Sequence, residues 1–141
     1  MSESVPMIQV QLSKIIIDEK RQEQVIVLKE KDGARQFPIV IGFLEASSIK
    51  MKLSHIEPPR PMTHDLATKI LEALDTVMTQ FTIDKMVENT YHAKIELKTR
   101  DDQRKTIDCR PSDGIALAVR TGAPMFVKKE VFEKSAVTLP E

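Results

Sequence analysis

Two short stretches concentrate the side chains that could do chemistry. PPRPMTHDL, residues 58–66, brings Arg60, His64 and Asp65 together where a helix is about to begin. DCRPSDG, residues 108–114, repeats the design with Asp108, Arg110 and Asp113. A histidine at a helix N-terminus has its charged form disfavoured, which leaves a neutral imidazole able to take a proton. Where two helix N-termini converge, free N–H groups and positive dipole suit an anion such as phosphate. The carboxylates of Asp65, Asp108 and Asp113, with Glu45 in the first turn of an earlier helix, favour Mg2+ or Mn2+ through oxygen ligands.

The same residues have a plain structural reading. Thr63 is a good N-cap, and Asp65 then falls in the first turn, where a carboxylate complements the helix dipole. Pro111 is placed like a first helical residue, with Asp113 again in the first turn. Asp108 falls in a predicted strand, which disfavours aspartate, so a partner among Arg110, Arg60 and Arg120 is expected. A buried Arg–carboxylate network and an open anion pocket both fit this pattern. Ser112 lacks the Gly-x-Ser-x-Gly elbow of a nucleophile. His55 and His92 read as exposed, no histidine pair has zinc spacing, and Cys109 has no CxxC partner. There is no phosphate-binding glycine loop.

The positioning elements follow from periodicity. MIQVQLSKIII alternates and then becomes more buried, QVIVLKE is a second strand, and Asp32-Gly33 turns the chain into RQFPIVI. Pro38 cannot donate to a ladder, so that third strand is expected to lie at an edge or to start late. GFLEASSIKMKL predicts a helix with Leu44, Ala46, Ile49 and Leu53 on its inner face, and the prolines of SHIEPPRP stop it. THDLATKILEALD resumes as a helix, with Leu66, Ile70 and Leu74 four apart beside Ala67 and Leu71. FTIDKMVE, TYHAKIELKT and RKTIDCR read as strands, PSDGIALAVRTG as a helix capped by Gly122, and APMFVKKEVFEKS as a strand and a last helical turn. Residues 10–53 and 78–121 overlay without a gap at an offset of 68, so strand-strand-strand-helix occurs twice, joined by the middle helix. The expected class is α+β with a mainly antiparallel sheet, one domain over residues 1–135 and a tail at 136–141.

Bulk composition narrows the field. At 141 residues and 41% hydrophobic content the chain can bury a core without metal or disulfide staples. Lysine plus arginine and aspartate plus glutamate stand at 21 each, so any nucleic-acid contact must be local. A single cysteine and the absence of a leader-like start or a membrane-length apolar run point to the cytoplasm.

FPIVIGFLEASSIKMKL, RPMTHDL and IDCRPSDGIALAVRTGAPMFV together resemble the bifunctional nuclease (BFN) domain family over about residues 8–132. Gly114 stands where that pattern often has Ala, a small-for-small change. The resemblance implies a small α+β protein that hydrolyses DNA and RNA and assembles as a homodimer or higher homo-oligomer. Phosphodiester hydrolysis needs an activated water and charge neutralisation at phosphorus. Chemistry assigns His64 as base and Asp65, Asp108 and Asp113, with Glu45, as ligands of Mg or Mn. Arg60, Arg110 and Arg120 would bind the substrate phosphate. The alternative is a non-catalytic oligomeric module that binds an anionic ligand or a protein partner.

Overall fold

The computed structural model describes residues 6–18, 20 and 23–136. Strands β1 (Met7–Ile16), β2 (Glu23–Glu30) and β3 (Gln36–Gly42) lead into helices α1 (Phe43–Leu53) and α2 (Thr63–Ala73). Strands β4 (Val77–Val87), β5 (Thr90–Lys98) and β6 (Arg104–Cys109) then lead into α3 (Pro111–Thr121), β7 (Met125–Lys128) and α4 (Lys129–Ser135). The seven strands form one sheet in the order β3-β2-β1-β7-β4-β5-β6. Every neighbouring pair is antiparallel except β4 and β7. The class is α+β, and Pro38 lies on an edge strand. Of the expected tail, all but Ala136 lies outside the described residues.

Alternation in β5 sends Ala93, Ile95 and Leu97 into the core. With few aromatics available, aliphatic side chains fill most of it, around Phe81 and Ile83 of β4. The remaining rings do something specific. Phe37 of β3 stacks on Phe132 of α4 at 5.7 Å and meets Tyr91 of β5 at 5.1 Å. Strands β3 and β5 are far apart in sheet order, so the sheet must curl to bring those rings together.

Helix α3 packs beside α1 and α2 and lies on β4 and β5. The contact is close because Gly114 faces Phe81: a Cβ there would overlap the ring, which is fully buried. Gly114 is therefore not interchangeable with Ala, contrary to the small-for-small expectation. Gly122, at φ 80°, ends α3 in the left-handed conformation that glycine favours.

The helix faces differ from their periodic reading. In α1, Ala46, Ser48 and Ile49 are buried, whereas Leu44 and Leu53 are exposed. In α2 no residue is fully buried, and Leu66, Ile70 and Leu74 form an exposed stripe while Ala67 and Leu71 make the inner contact. Helix α2 turns inward the polar side of His64 instead. Thr63 is the first helical residue rather than the cap. The N-terminus is held by Asp65, whose Oδ2 accepts from the Met62 N–H at 3.0 Å.

Candidate functional site

The start of α2, the start and end of α3 and the middle of α1 converge on one chain of polar contacts. At its outer end Arg110 donates through Nε and Nη2 to both oxygens of Asp113, at 2.8 and 3.0 Å, and through Nη1 to Glu45 at 3.2 Å. Asp113 Oδ1 in turn contacts His64 Nε2 at 3.1 Å, and His64 Nδ1 contacts Ser48 Oγ at 3.1 Å. Arg120 donates through Nη2 to Ser48 Oγ at 2.9 Å and through Nε to Asp65 Oδ1 at 2.8 Å. Its Nη1 also reaches the Ala116 carbonyl at 3.0 Å.

Ser48 Oγ accepts from Arg120, so its own hydrogen is free to go to His64 Nδ1. With that hydrogen directed to Nδ1, the Nε2–H of the ring donates to Asp113. Both ring nitrogens are engaged within the strip. Ser48, with 2% of its surface exposed, is likewise closed to a reacting phosphate despite the Ser–His–Asp order of contacts. The carboxylates are tuned in the same sense. Arg120 first, then the Met62 N–H, holds Asp65 below the usual carboxylate range against the cost of burial. Arg110 and His64 do the same for Asp113.

Burial grades along the strip. The Arg120 side chain is only 4% exposed, whereas that of Arg110 is 65% exposed. A cleft opens at each end. One, of about 590 Å3, lies between the end of α1, the proline segment 57–62 and α2, and reaches Asp65 and Arg120. His55, Lys52, Arg60 and Lys69 line it too. The side chains of His55, Arg60 and Lys69 are exposed and make no hydrogen bond or ion pair among the described residues. The second cleft, of about 550 Å3, runs between β3 and the start of α3 and takes in Glu45, Tyr91 and Arg110.

The structure thus brings together Glu45, His64, Asp65, Arg110, Asp113 and Arg120. Arg60 shares a cleft with Asp65 and Arg120 but bonds to neither. Asp108 stands apart. It is exposed on β6, opposite Lys94 in register, and forms no hydrogen bond or ion pair among the described residues, so the expected arginine partner is absent. Alternation explains the separation. Cys109 turns its sulfur toward Gly114, which sends Asp108 to the other face of the sheet. Burial, followed by the charges of Asp113 and Asp108, pushes the Cys109 thiol up to about 12.

Mg2+ and Mn2+ ask for open carboxylate oxygens converging on a point. Among the described residues no three His, Cys, Asp or Glu side chains do so. Asp65, Asp113 and Glu45 each already take a guanidinium. The donor set expected from Asp65, Asp108, Asp113 and Glu45 does not fit a resident ion.

Ser48, Lys52, His55 and Lys69 are the participants that sequence reasoning missed. Ser48 carried no signal beyond being a polar residue on a face read as apolar. His55 and Lys52 stand at the end of α1, where a proline-bounded loop looked like a mere interruption.

A model of the bifunctional nuclease domain matches residues 26–140. An uncharacterized protein of Mycobacterium tuberculosis (strain H37Rv) is 32% identical over 133 residues, which is 94% of this chain and 79% of that protein. Bifunctional nuclease 1 of Oryza sativa subsp. japonica is 30% identical over 109 residues, covering 75% of this chain and 33% of the rice protein. Bifunctional nuclease 2 of Arabidopsis thaliana is 25% identical over 107 residues, 74% of this chain and 32% of its own length.

Proposed function

The chain belongs to the bifunctional nuclease domain family, and from that premise we propose that it hydrolyses phosphodiester bonds in both DNA and RNA. The observation that carries this reading is the cleft beside α2, where Arg60 and Lys69 point unpaired cations at open space next to Lys52. Phosphate contacts dominate nucleic-acid affinity, and a guanidinium can take two phosphate oxygens at once. A chain of zero net charge needs such a local cluster. Asp65 and Arg120 form the back wall, with Arg120 held rigid by Ser48 and Ala116. His64, Asp113, Arg110 and Glu45 position the helices that carry the wall. The plant relatives' name, bifunctional nuclease, agrees with this reading, although the chain spans only a third of their length.

The test is cleavage of single-stranded DNA, duplex DNA and RNA by the purified chain, with Mg2+, with Mn2+ and with EDTA, beside Arg60→Ala/Lys69→Ala. Cleavage that survives EDTA and is lost in the folded double variant is the expected outcome. No cleavage under any condition would sink the hydrolytic reading. A second reading has its own support, because every carboxylate of the strip already holds an arginine or a histidine. It makes the chain a non-catalytic module that holds an anionic ligand, and binding of the same oligonucleotides without cleavage would favour it.

The family's homo-oligomer belongs with this proposal. A second copy would cover the exposed stripe of Leu66, Ile70 and Leu74. Sedimentation of Ile70→Lys beside the parent chain tests it, with dissociation expected. No helix of the described residues is long and apolar enough to cross a membrane. The cytoplasm is the proposed compartment.

A further inference from the structure

Helix α1 ends in a tight reverse turn. The Ile56 N–H reaches back to the Met51 carbonyl at 2.9 Å and the His55 N–H to the Lys52 carbonyl at 3.2 Å. That pair of bonds needs a left-handed residue after the cap, and His55 supplies it at φ 56°. Helix α3 meets the same need with Gly122. A side chain incurs a steric penalty there that glycine avoids. Asp75 accepts the same conformation after α2, at φ 51°, so the backbone alone does not single out His55. Its surroundings do.

The imidazole is exposed and makes no hydrogen bond or ion pair among the described residues. It lines the cationic cleft. Around that cleft stand Lys52 of its own helix, Glu57 and Arg60 of the proline segment, Asp65, Lys69 and Glu72 of α2, and Arg120 of α3. The cations can hold a phosphate, but none of them suits proton transfer near neutral pH. Histidine is the side chain that does. The other histidine near the cleft, His64, is already committed to Ser48 and Asp113.

We propose that His55 is the proton acceptor of the phosphodiester hydrolysis proposed for this cleft, an assignment that rests on the hydrolytic reading. A ring nitrogen of His55 takes a proton from the attacking water as its oxygen bonds to phosphorus. The bond from phosphorus to the leaving sugar oxygen breaks. That oxygen takes a proton from solvent, and the hydroxide left behind neutralises the imidazolium, which restores the ring. Water as nucleophile requires no 2′-hydroxyl, so the same step serves DNA and RNA.

His55→Gly is the informative variant, because it removes the ring while placing at this position the residue the backbone favours. The fold should be as heat-resistant as the parent or more so, with oligonucleotide affinity within about two-fold. Cleavage at pH 7.5 should fall by about 100-fold or more, the usual scale for losing general base catalysis. The acid limb of the rate profile should disappear, and added imidazole should restore part of the rate. His55→Gln, which keeps a polar side chain of similar size, should be equally slow and show no rescue. If His55→Gly cleaves at the parental rate with the parental profile, His55 is not the acceptor, while the hydrolytic reading stands. If the parent chain binds oligonucleotides but cleaves none, both fall together.

Discussion

His55 and His64 flank the same proline-rich segment, yet they live in opposite circumstances. His64 sits on a strip in which each acceptor has a donor, from Arg110 through Asp113 and Ser48 to Arg120 and Asp65. His55 faces open space beside unpaired cations. Saturated polar groups in a half-buried setting tie elements together, because leaving any one unpaired is costly. Groups left unsatisfied at the rim of a cleft do nothing for the fold and remain available to a ligand. Both regions are rich in charge. Only the second has capacity to spare.

That contrast can be broken most severely at Arg120. Replacing it by Met leaves Asp65 and Ser48 short of a donor at the best-buried point of the strip, and should cost about 3 kcal/mol of unfolding free energy in urea titrations. A cost below about 0.5 kcal/mol, the level of an ordinary surface change, would mean that the strip does not hold the helices. His64→Ala should come next, at about 1–3 kcal/mol, since both Ser48 and Asp113 lose a partner.

Acid should dissect the strip more gently. Asp65 and Asp113 are held below their ordinary value of 3.8 in the folded chain. Their stabilisation is therefore complete above that value and is lost as pH falls through the lowered folded values. Urea midpoints should stay level as far as these two groups are concerned from pH 7 to pH 5, then drop below about pH 4. Arg120→Met should lose the share due to Asp65 and keep that of Asp113.

The smallest effect on the fold is expected in the cleft. Arg60→Ala/Lys69→Ala should change stability by no more than about 0.5 kcal/mol. It should reduce the slope of log affinity for an oligonucleotide against log salt by about 2, because each cation removed leaves one phosphate with its counterions. An unchanged slope would place the nucleic acid elsewhere on the surface.

Much of the fold was legible because its signals are local. Alternation in β5, the Asp32-Gly33 turn and the proline at the start of α3 each act over a few residues, and one missing N–H limited β3 to an edge or a late start. The stretches around Arg60-Pro61 and Arg110-Pro111 were readable as two similar helix starts, but nothing local in them says that the two helices meet. What could not be read was which charge meets which. Asp108 and Asp113 look alike in sequence, yet strand alternation turns one outward while the first turn of α3 turns the other onto His64. The stripe of Leu66, Ile70 and Leu74 has ideal spacing for a core and is exposed, because α2 is anchored through His64 and Asp65 instead. Gly114 looked replaceable, and only the Phe81 ring across the interface shows why it is not.

Cys109 adds a clock to the molecule. Its sulfur lies under the start of α3, and with the thiol pushed up to about 12 it stays protonated at neutral pH, so it is a poor nucleophile while the helix is seated. A thiol reagent should therefore label it at the rate at which the start of α3 lifts from the sheet, and each event would record one opening of the place where Arg110 and Asp113 are held.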